Sequence, residues 1–280
     1  MKLAITFALV TGTALAGSAA LAQQKTLYVA GYGGSYEQTM RKEVIPTFEK
    51  QANVKIEYVA GNSTDTLAKL QAQKGNQQID VAIVDDGPAY QAVALGFCGP
   101  LTDGAVYKDV APVMKFKSNK GVGLGLVGTG LFYNKKVFDE NKWPAPTSWT
   151  DLKSKTYGKK IVSPPINNTY GLHALIAFAQ IGGGGEGNIE PGFEAFKKDI
   201  NPNIVAYEPS PAKMTELFQN GQAVLGVWGS GRVNAFADTG FPVEFVYPKE
   251  GGFALGVAAC PVEGSKNAAE ANAFIQFMLS

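Results

Sequence analysis

Five short stretches hold residue types that recognise small molecules, and each follows an apolar run. They are GYGGSY (Gly31 to Tyr36), DDGPAY (Asp85 to Tyr90), SPPINNTYG (Ser163 to Gly171), EPSP (Glu208 to Pro211) and WGSGR (Trp228 to Arg232). In the first, Gly34 and Ser35 open a helix, where free backbone N–H groups and the helix dipole favour a polar ligand, and Tyr32 and Tyr36 flank them with aromatic faces. The same letters also describe a tight strand-to-helix turn. The third glycine or alanine of a dinucleotide fingerprint and the Lys-Ser/Thr of a P-loop are both missing. Asp85 and Asp86 stand at a strand end, where a carboxylate accepts hydrogen bonds from an ammonium or caps the next helix; Glu208 has the same two readings. In WGSGR, Trp228 offers an indole face worth ~0.5–2 kcal/mol over a cation. Ser230 adds a hydroxyl, and Arg232 adds a guanidinium able to hold a carboxylate at two points. Core packing for Trp228 and a surface ion pair for Arg232 are the alternatives.

Residues for catalysis are sparse. His173 is the single histidine and sits in an apolar stretch, GLHALIAFA, where such a residue is more often packed than basic. Ser230 lies in G-S-G and not in the G-x-S-x-G elbow of hydrolases, and no H-E-x-x-H, C-x-x-C or EF-hand pattern occurs. No pattern asks for a cofactor or a metal, so a secreted hydrolase is a thin alternative. A ferric-ion carrier, which gathers tyrosines, is another; the chain has 11 tyrosines, none adjacent in sequence.

The elements that must position these loops alternate along the chain. LYVA, a helical stretch from Ser35 to Gln51, VKIEYVA, a helix ending at Gly75 and IDVAIVD give a β-α-β-α-β order, which predicts a mostly parallel sheet with helices on both faces. The segment from Gly121 to Asn134 is long, apolar and glycine-rich, as a strand crossing between lobes would be. A second α/β series follows, and the stretch from Val243 to Val262 reads as a second extended crossing. Ser148 or Thr147 can cap the helix TDLKSK. Two crossings predict two α/β lobes sharing a hinge, with the ligand at the strand ends between them. The expected division is residues 23–124 with 249–280 in one lobe and 125–248 in the other.

The first residues, MKLAITFALVTGTALAGSAALAQQ, have Lys2, an apolar run and an A-x-A site, so residues 1–22 read as a signal peptide. Gln23 follows the site where lipid-anchored proteins carry cysteine, and no later window is apolar enough to span a bilayer, so no direct membrane insertion is expected. The remaining ~250 residues exceed the size at which one core stops growing. With 25 basic and 24 acidic residues, the chain has no stripe for nucleic acid. Cys98 and Cys260 can pair in an oxidising compartment or sit as two buried thiols. Nothing requires an oligomer, and a monomer is expected.

Taken in order, LYVAGYGGSY, GLFYNKKVFDEN, PAPTSWTDLKS, FQNGQAVLGVW, YPKEGG and NAAEANAFIQFMLS resemble the solute-binding proteins of ABC importers grouped with the spermidine/putrescine receptors. The resemblance implies a two-lobed, type II periplasmic-binding-protein-like fold, a periplasmic location and delivery of a small-molecule solute to an inner-membrane ABC permease. By it, Tyr32, Tyr36 and Trp228 are walls of the ligand site; separately, Tyr170, after the Asn167-Asn168-Thr169 loop, is expected to add a wall or hydroxyl from the second lobe. After YPKEGG, where the polyamine receptors carry a tryptophan and then an aspartate, this chain reads Phe253-Ala254-Leu255-Gly256-Val257. Losing that carboxylate weakens the case for a diamine or triamine, because a buried ammonium without a partner is costly. An amine-containing solute that also bears a carboxylate fits the residues at least as well, with Asp85 or Asp86 on the ammonium and Arg232 on the carboxylate. Relatives usually continue past the phrase that ends at Ser280, so a C-terminally shortened first lobe is expected.

Overall fold

The computed structural model describes residues 24–280; the expected signal peptide, 1–22, lies outside the described residues. The chain opens with β1 (Lys25–Tyr32), whose Leu27, Val29 and Ala30 are fully buried. It continues through α1 (Ser35–Thr39), a π-helical turn at Met40–Val44 and α2 (Ile45–Ala52). The π turn falls where Pro46, lacking an N–H, cannot complete the regular ladder. Then come β2 (Val54–Gly61), α3 (Ser63–Ala72), β3 (Val81–Asp85) and α4 (Asp86–Ala94). The expected crossing strand is β4 (Val122–Asn134), followed by α5 (Lys135–Asn141), β5 (Ile161–Ser163), α6 (Thr169–Ile181) and α7 (Glu190–Ala195). The chain closes with β6 (Ile204–Tyr207), α8 (Pro211–Gln219), β7 (Leu225–Gly229), α9 (Ser230–Ala237), β8 (Val243–Val246), β9 (Phe253–Pro261) and α10 (Ala268–Met278).

The strands form one curled mixed sheet in the order β2-β1-β3-β9-β4-β7-β5-β6, with β8 paired to β4. β2, β1 and β3 are parallel to one another, as are β7, β5 and β6. Between these triplets, β9 and β4 run antiparallel to each other and to their outer neighbours β3 and β7. The long apolar segment from Val243 is therefore not one crossing strand. Its first part, β8, folds antiparallel onto β4, and only β9 crosses. The break lies at Pro248, which cannot donate to a ladder, and at Gly251, whose φ of 107° suits glycine alone.

Apolar side chains gather at either end of the crossing strands. Leu27, Val29, Phe48, Val81, Val122, Phe274 and Ile275 belong to one core, in which α10 packs Phe274 edge-on against Phe48 at 5.0 Å. Leu131, Phe138, Trp149, Phe178, Leu225 and Val227 belong to another. Ser148 caps the 3₁₀ turn Trp149–Lys153 in a capping box with Asp151, and the Trp149 indole donates to Gly251 O at 2.9 Å, which fixes the turn leading into β9.

Cys98 and Cys260 form a disulfide, with Cα atoms 5.6 Å apart. It closes a loop across a sequence separation of 162 and anchors β9 to the segment after α4. Replacing both cysteines with alanine is expected to cost about 2–4 kcal/mol. Urea unfolding of the double variant, and of the wild type with and without reductant, measures it; equal midpoints would contradict the expectation.

Candidate functional site

The strands of both parallel triplets end at one cavity of about 370 Å³, and the residues there come from the turn between each strand and its following helix. Tyr32 and Gly34 follow β1, Asn62 and Ser63 follow β2, and Asp85 ends β3. From the other triplet, Asn168 precedes α6, Glu208 and Ser210 follow β6, and Trp228 and Arg232 span the junction of β7 and α9. Within each triplet the carboxyl ends point the same way, and the two triplets run in opposite senses with these ends facing, so the N-termini of α3, α6, α8 and α9 meet there as well. Asn62, Asn168 and Ser210 cap three of these helices, each accepting a backbone N–H with its side-chain oxygen.

Of the four charged residues lining the cavity, Asp65, Asp85, Glu208 and Arg232, Asp85 and Arg232 bond across it from one triplet to the other. Asp85 is buried, and its carboxylate accepts from Tyr32 Oη at 2.6 Å and from the hydroxyl of Thr169, while its backbone N–H donates to Ser63 Oγ at 3.0 Å. It does not cap α4 through its side chain. Burial raises its pKa, and the hydroxyl donors of Thr169 and Tyr32 offset part of that rise. Arg232, half-buried in the first turn of α9, donates from Nη1 to Gly33 O at 3.1 Å and makes no ion pair among the described residues. Thr169–Asp85 and Arg232–Gly33 both run from one triplet to the other. So does the approach of Gly34 to Pro211: a Cβ at Gly34 would lie 2.9 Å from Pro211 Cβ, and its φ of 71° also favours glycine.

The phenols here stay protonated, and Tyr32 donates to Asp85. Burial, and secondarily Asp85, raises the pKa of Tyr32 well above the ordinary phenol value; burial also raises Tyr170, against the opposing guanidinium of Arg232. The Tyr170 ring lies over the end of β7, where a Cβ at Gly229 would be 2.5 Å from its hydroxyl.

Of the residues singled out from sequence, Tyr32, Gly34, Asp85, Tyr170, Trp228 and Arg232 line this cavity. Trp228 does so while packing on Phe132 at 5.4 Å, so the packing and ligand-facing readings hold together. Ser35 and Tyr36 line a second chamber of about 220 Å³ that shares Tyr32, Tyr170 and Arg232 with the first. Asp86 faces elsewhere, accepting from Gly87 N at 2.9 Å and from Gly256 N at 3.2 Å, and so ties α4 to β9. Ser230 Oγ accepts from Gly128 N at 3.2 Å and fastens α9 to β4. The loop GNSTD after β2, which lines the cavity with Asn62, Ser63 and Asp65, escaped the sequence reading; its Asn62-x-x-Asp65 capping box at a strand end was the available signal. His173 is a packed residue. Its Nδ1 pairs with Thr129 Oγ1 at 2.8 Å, its ring stacks on Phe253 at 5.0 Å, and burial lowers its pKa to about 4.

Among the described residues no three His, Cys, Asp or Glu side chains are grouped to hold a metal ion, and no helix is long and apolar enough to cross a membrane.

Comparison with known proteins gives consistent matches. The sequence profile of a family described as bacterial extracellular solute-binding protein matches residues 43–280. An uncharacterized protein of Haemophilus influenzae is 27% identical over 283 residues, covering 97% of this chain and 77% of its own length. The periplasmic binding protein AfuA of Actinobacillus pleuropneumoniae, solved with fructose-6-phosphate bound, superposes with a TM-score of 0.78 at 24% identity, over 92% of this chain and 79% of that one. A protein of Listeria monocytogenes named for spermidine/putrescine ABC transport gives 0.75 at 18% identity, over 92% and 79% of the two chains. These likenesses show the fold: α/β and periplasmic-binding-protein-like, as the sequence resemblance implied.

The carboxylate of Asp85 sets an expected pH dependence. Burial makes the folded chain hold the Asp85 proton more tightly than the unfolded chain does, so the stability it contributes is present in acid and is lost as pH rises through its raised pKa. Thr169→Val removes a donor to the ionised form and is expected to cost about 1.5–3 kcal/mol at neutral pH. The gap from wild type should close as the pH falls and Asp85 becomes neutral in both proteins. Denaturant unfolding across a pH series checks this, and a gap independent of pH would contradict it.

Proposed function

We propose that this chain, which belongs to the family of bacterial extracellular solute-binding proteins, is the periplasmic capture subunit of an ABC importer for a small acidic solute. The observation carrying this reading is the cavity in which six strand ends and four helix N-termini meet the guanidinium of Arg232, which has no carboxylate partner among the described residues. Helix N-termini and an unpaired guanidinium both favour a phosphate or carboxylate. Asp65 and Glu208 on the rim supply acceptors for hydroxyl or ammonium groups of the same molecule, so sugar phosphates and amino-carboxylates both fit. That AfuA was solved with fructose-6-phosphate supports the choice of an anion. A linear polyamine fits less well, because both oxygens of Asp85 already accept hydroxyls and Asp86 is turned to β9.

Residues 23–124 with 249–280, and 125–248, are the lobes proposed to close on the solute, with β4 and β9 as the hinge. The chain binds and releases its solute to a membrane permease without reaction: the one histidine is packed, and Ser230 is committed to Gly128 N. A second reading, a ferric-ion carrier, draws on Tyr32, Tyr36 and Tyr170 coming together. Burial holds these phenols protonated, against that reading, and a tyrosinate–iron absorption band on adding iron would establish it.

A thermal-shift screen against hexose phosphates, amino-carboxylates and polyamines tests the proposal, since a ligand at 100 times Kd adds about 2.7 kcal/mol of stability. Acidic solutes should shift the melting temperature, and Arg232→Ala should weaken them roughly 10- to 100-fold, the equivalent of about 1.5–3 kcal/mol for hydrogen bonds to a charged group. Shifts with polyamines alone, undiminished in Arg232→Ala, would overturn the acidic-solute reading. Product formation from any solute would overturn binding without reaction.

A further inference from the structure

The second chamber, of about 220 Å³, differs in character from the first. Its floor is the crossing strands, through Val127, Leu255 and Val257, and its sides are Tyr36 on α1 and Ala235 on α9. Leu255 and Val257 give that floor no carboxylate, and Arg232, shared with the first chamber, is the one charged residue in its lining.

Three of the polar side chains in its lining are bonded elsewhere. Tyr32 Oη donates to Asp85, Thr39 Oγ1 donates to Ser35 O at 3.1 Å within its own helix, and Arg232 Nη1 donates to Gly33 O. Most of the remaining lining is hydrocarbon or ring surface, from Val127, Leu255, Val257, Ala235 and Tyr36, and suits an apolar occupant. Tyr32 and Tyr36 meet edge to face with ring centroids 5.1 Å apart, an arrangement that extends readily to a further ring. In size, an apolar cavity of roughly 150 Å³ accommodates benzene, and this chamber exceeds that.

We infer that the solute is amphiphilic: its acid group rests with Arg232 and the helix N-termini in the polar chamber, and an apolar part the size of a six-membered ring enters the chamber floored by Leu255 and Val257. The inference rests on the acidic-solute reading above and deepens it. Because Tyr32, Tyr170 and Arg232 line both chambers, one molecule resting against them can reach into both, its acid beside its ring-bearing end.

Isothermal titration with pairs matched in their acid group tests it: phenyl phosphate against glycerol 3-phosphate, and phenylalanine against serine. In at least one pair, the ring-bearing member should bind ten or more times tighter than its partner. Ala235→Leu, at a half-buried position on α9, narrows the chamber and should cost the ring-bearing member at least five times more than the ring-less one. Equal affinities within both pairs in the wild type would overturn the inference whatever the variant does, and so would an equal effect of Ala235→Leu on both members. Ring-less acids binding as well as or better than ring-bearing ones would leave the acidic-solute reading standing and remove only this one. No binding by any of the four acids to a folded chain would remove both.

Discussion

Both halves of the molecule hang on the antiparallel ladder between β4 and β9. Its register runs from Val122 opposite Ala259 to Thr129 opposite Phe253, and at Thr129 β4 also takes up β7 through Gly229. Each strand thereby enters two cores: Val122 and Ala259 in one, Leu131 and Phe253 in or against the other. Thr129, at this handover, is fully buried, and its hydroxyl is satisfied by a neutral His173. A buried polar pair at the end of the ladder is tolerated because each partner meets the other's need. Where β8 folds over β4 the sequence must be glycine, since a Cβ at Gly130 would lie 2.4 Å from Val246 O.

The ladder explains why the cavity lies where it does. Parallel triplets joined edge to edge through two antiparallel strands turn all six of their carboxyl ends toward one cleft, and the turns there carry the polar residues. The converging helix N-termini contribute positive potential, which Arg232 reinforces and the carboxylates of Asp65, Asp85 and Glu208 oppose. Asp85 survives in this setting through hydroxyl groups rather than through a cation. Tyr32 and Thr169 reach it from opposite triplets, so it is a buried carboxylate that joins them.

Much of this was legible in the sequence, because regular elements announce themselves by periodicity and strand ends by glycine and cap residues. β1 to β3 with their helices, the crossing strand β4 and the loops around Tyr32, Asp85 and Trp228 follow from such local signals. Three features did not. The apolar run from Val243 contains β8 and β9 because Pro248 and Gly251 interrupt it, and a hydrophobic pattern alone does not show which strand a segment will pair with. Asp85 and Asp86 are neighbours of one chemical type, yet successive residues at a strand–helix junction point apart, one into the cavity and one to β9. Ser230 looked like a ligand group because its partner, Gly128 N, is 102 residues away in the chain. Local sequence cannot report a partner brought in by tertiary pairing.

The topology also sets an order of assembly. β3 takes β1 on one side and β9 on the other, but β9 is made after every strand of the second triplet. The first triplet therefore keeps an open edge along Val81–Asp85 while the intervening chain is synthesised and folds, and Cys98 waits over the same interval for Cys260. An unfinished edge of five buried, mostly aliphatic residues is a template for wrong pairing. The half of the sheet that begins first is thus completed last, by the final strand of the chain.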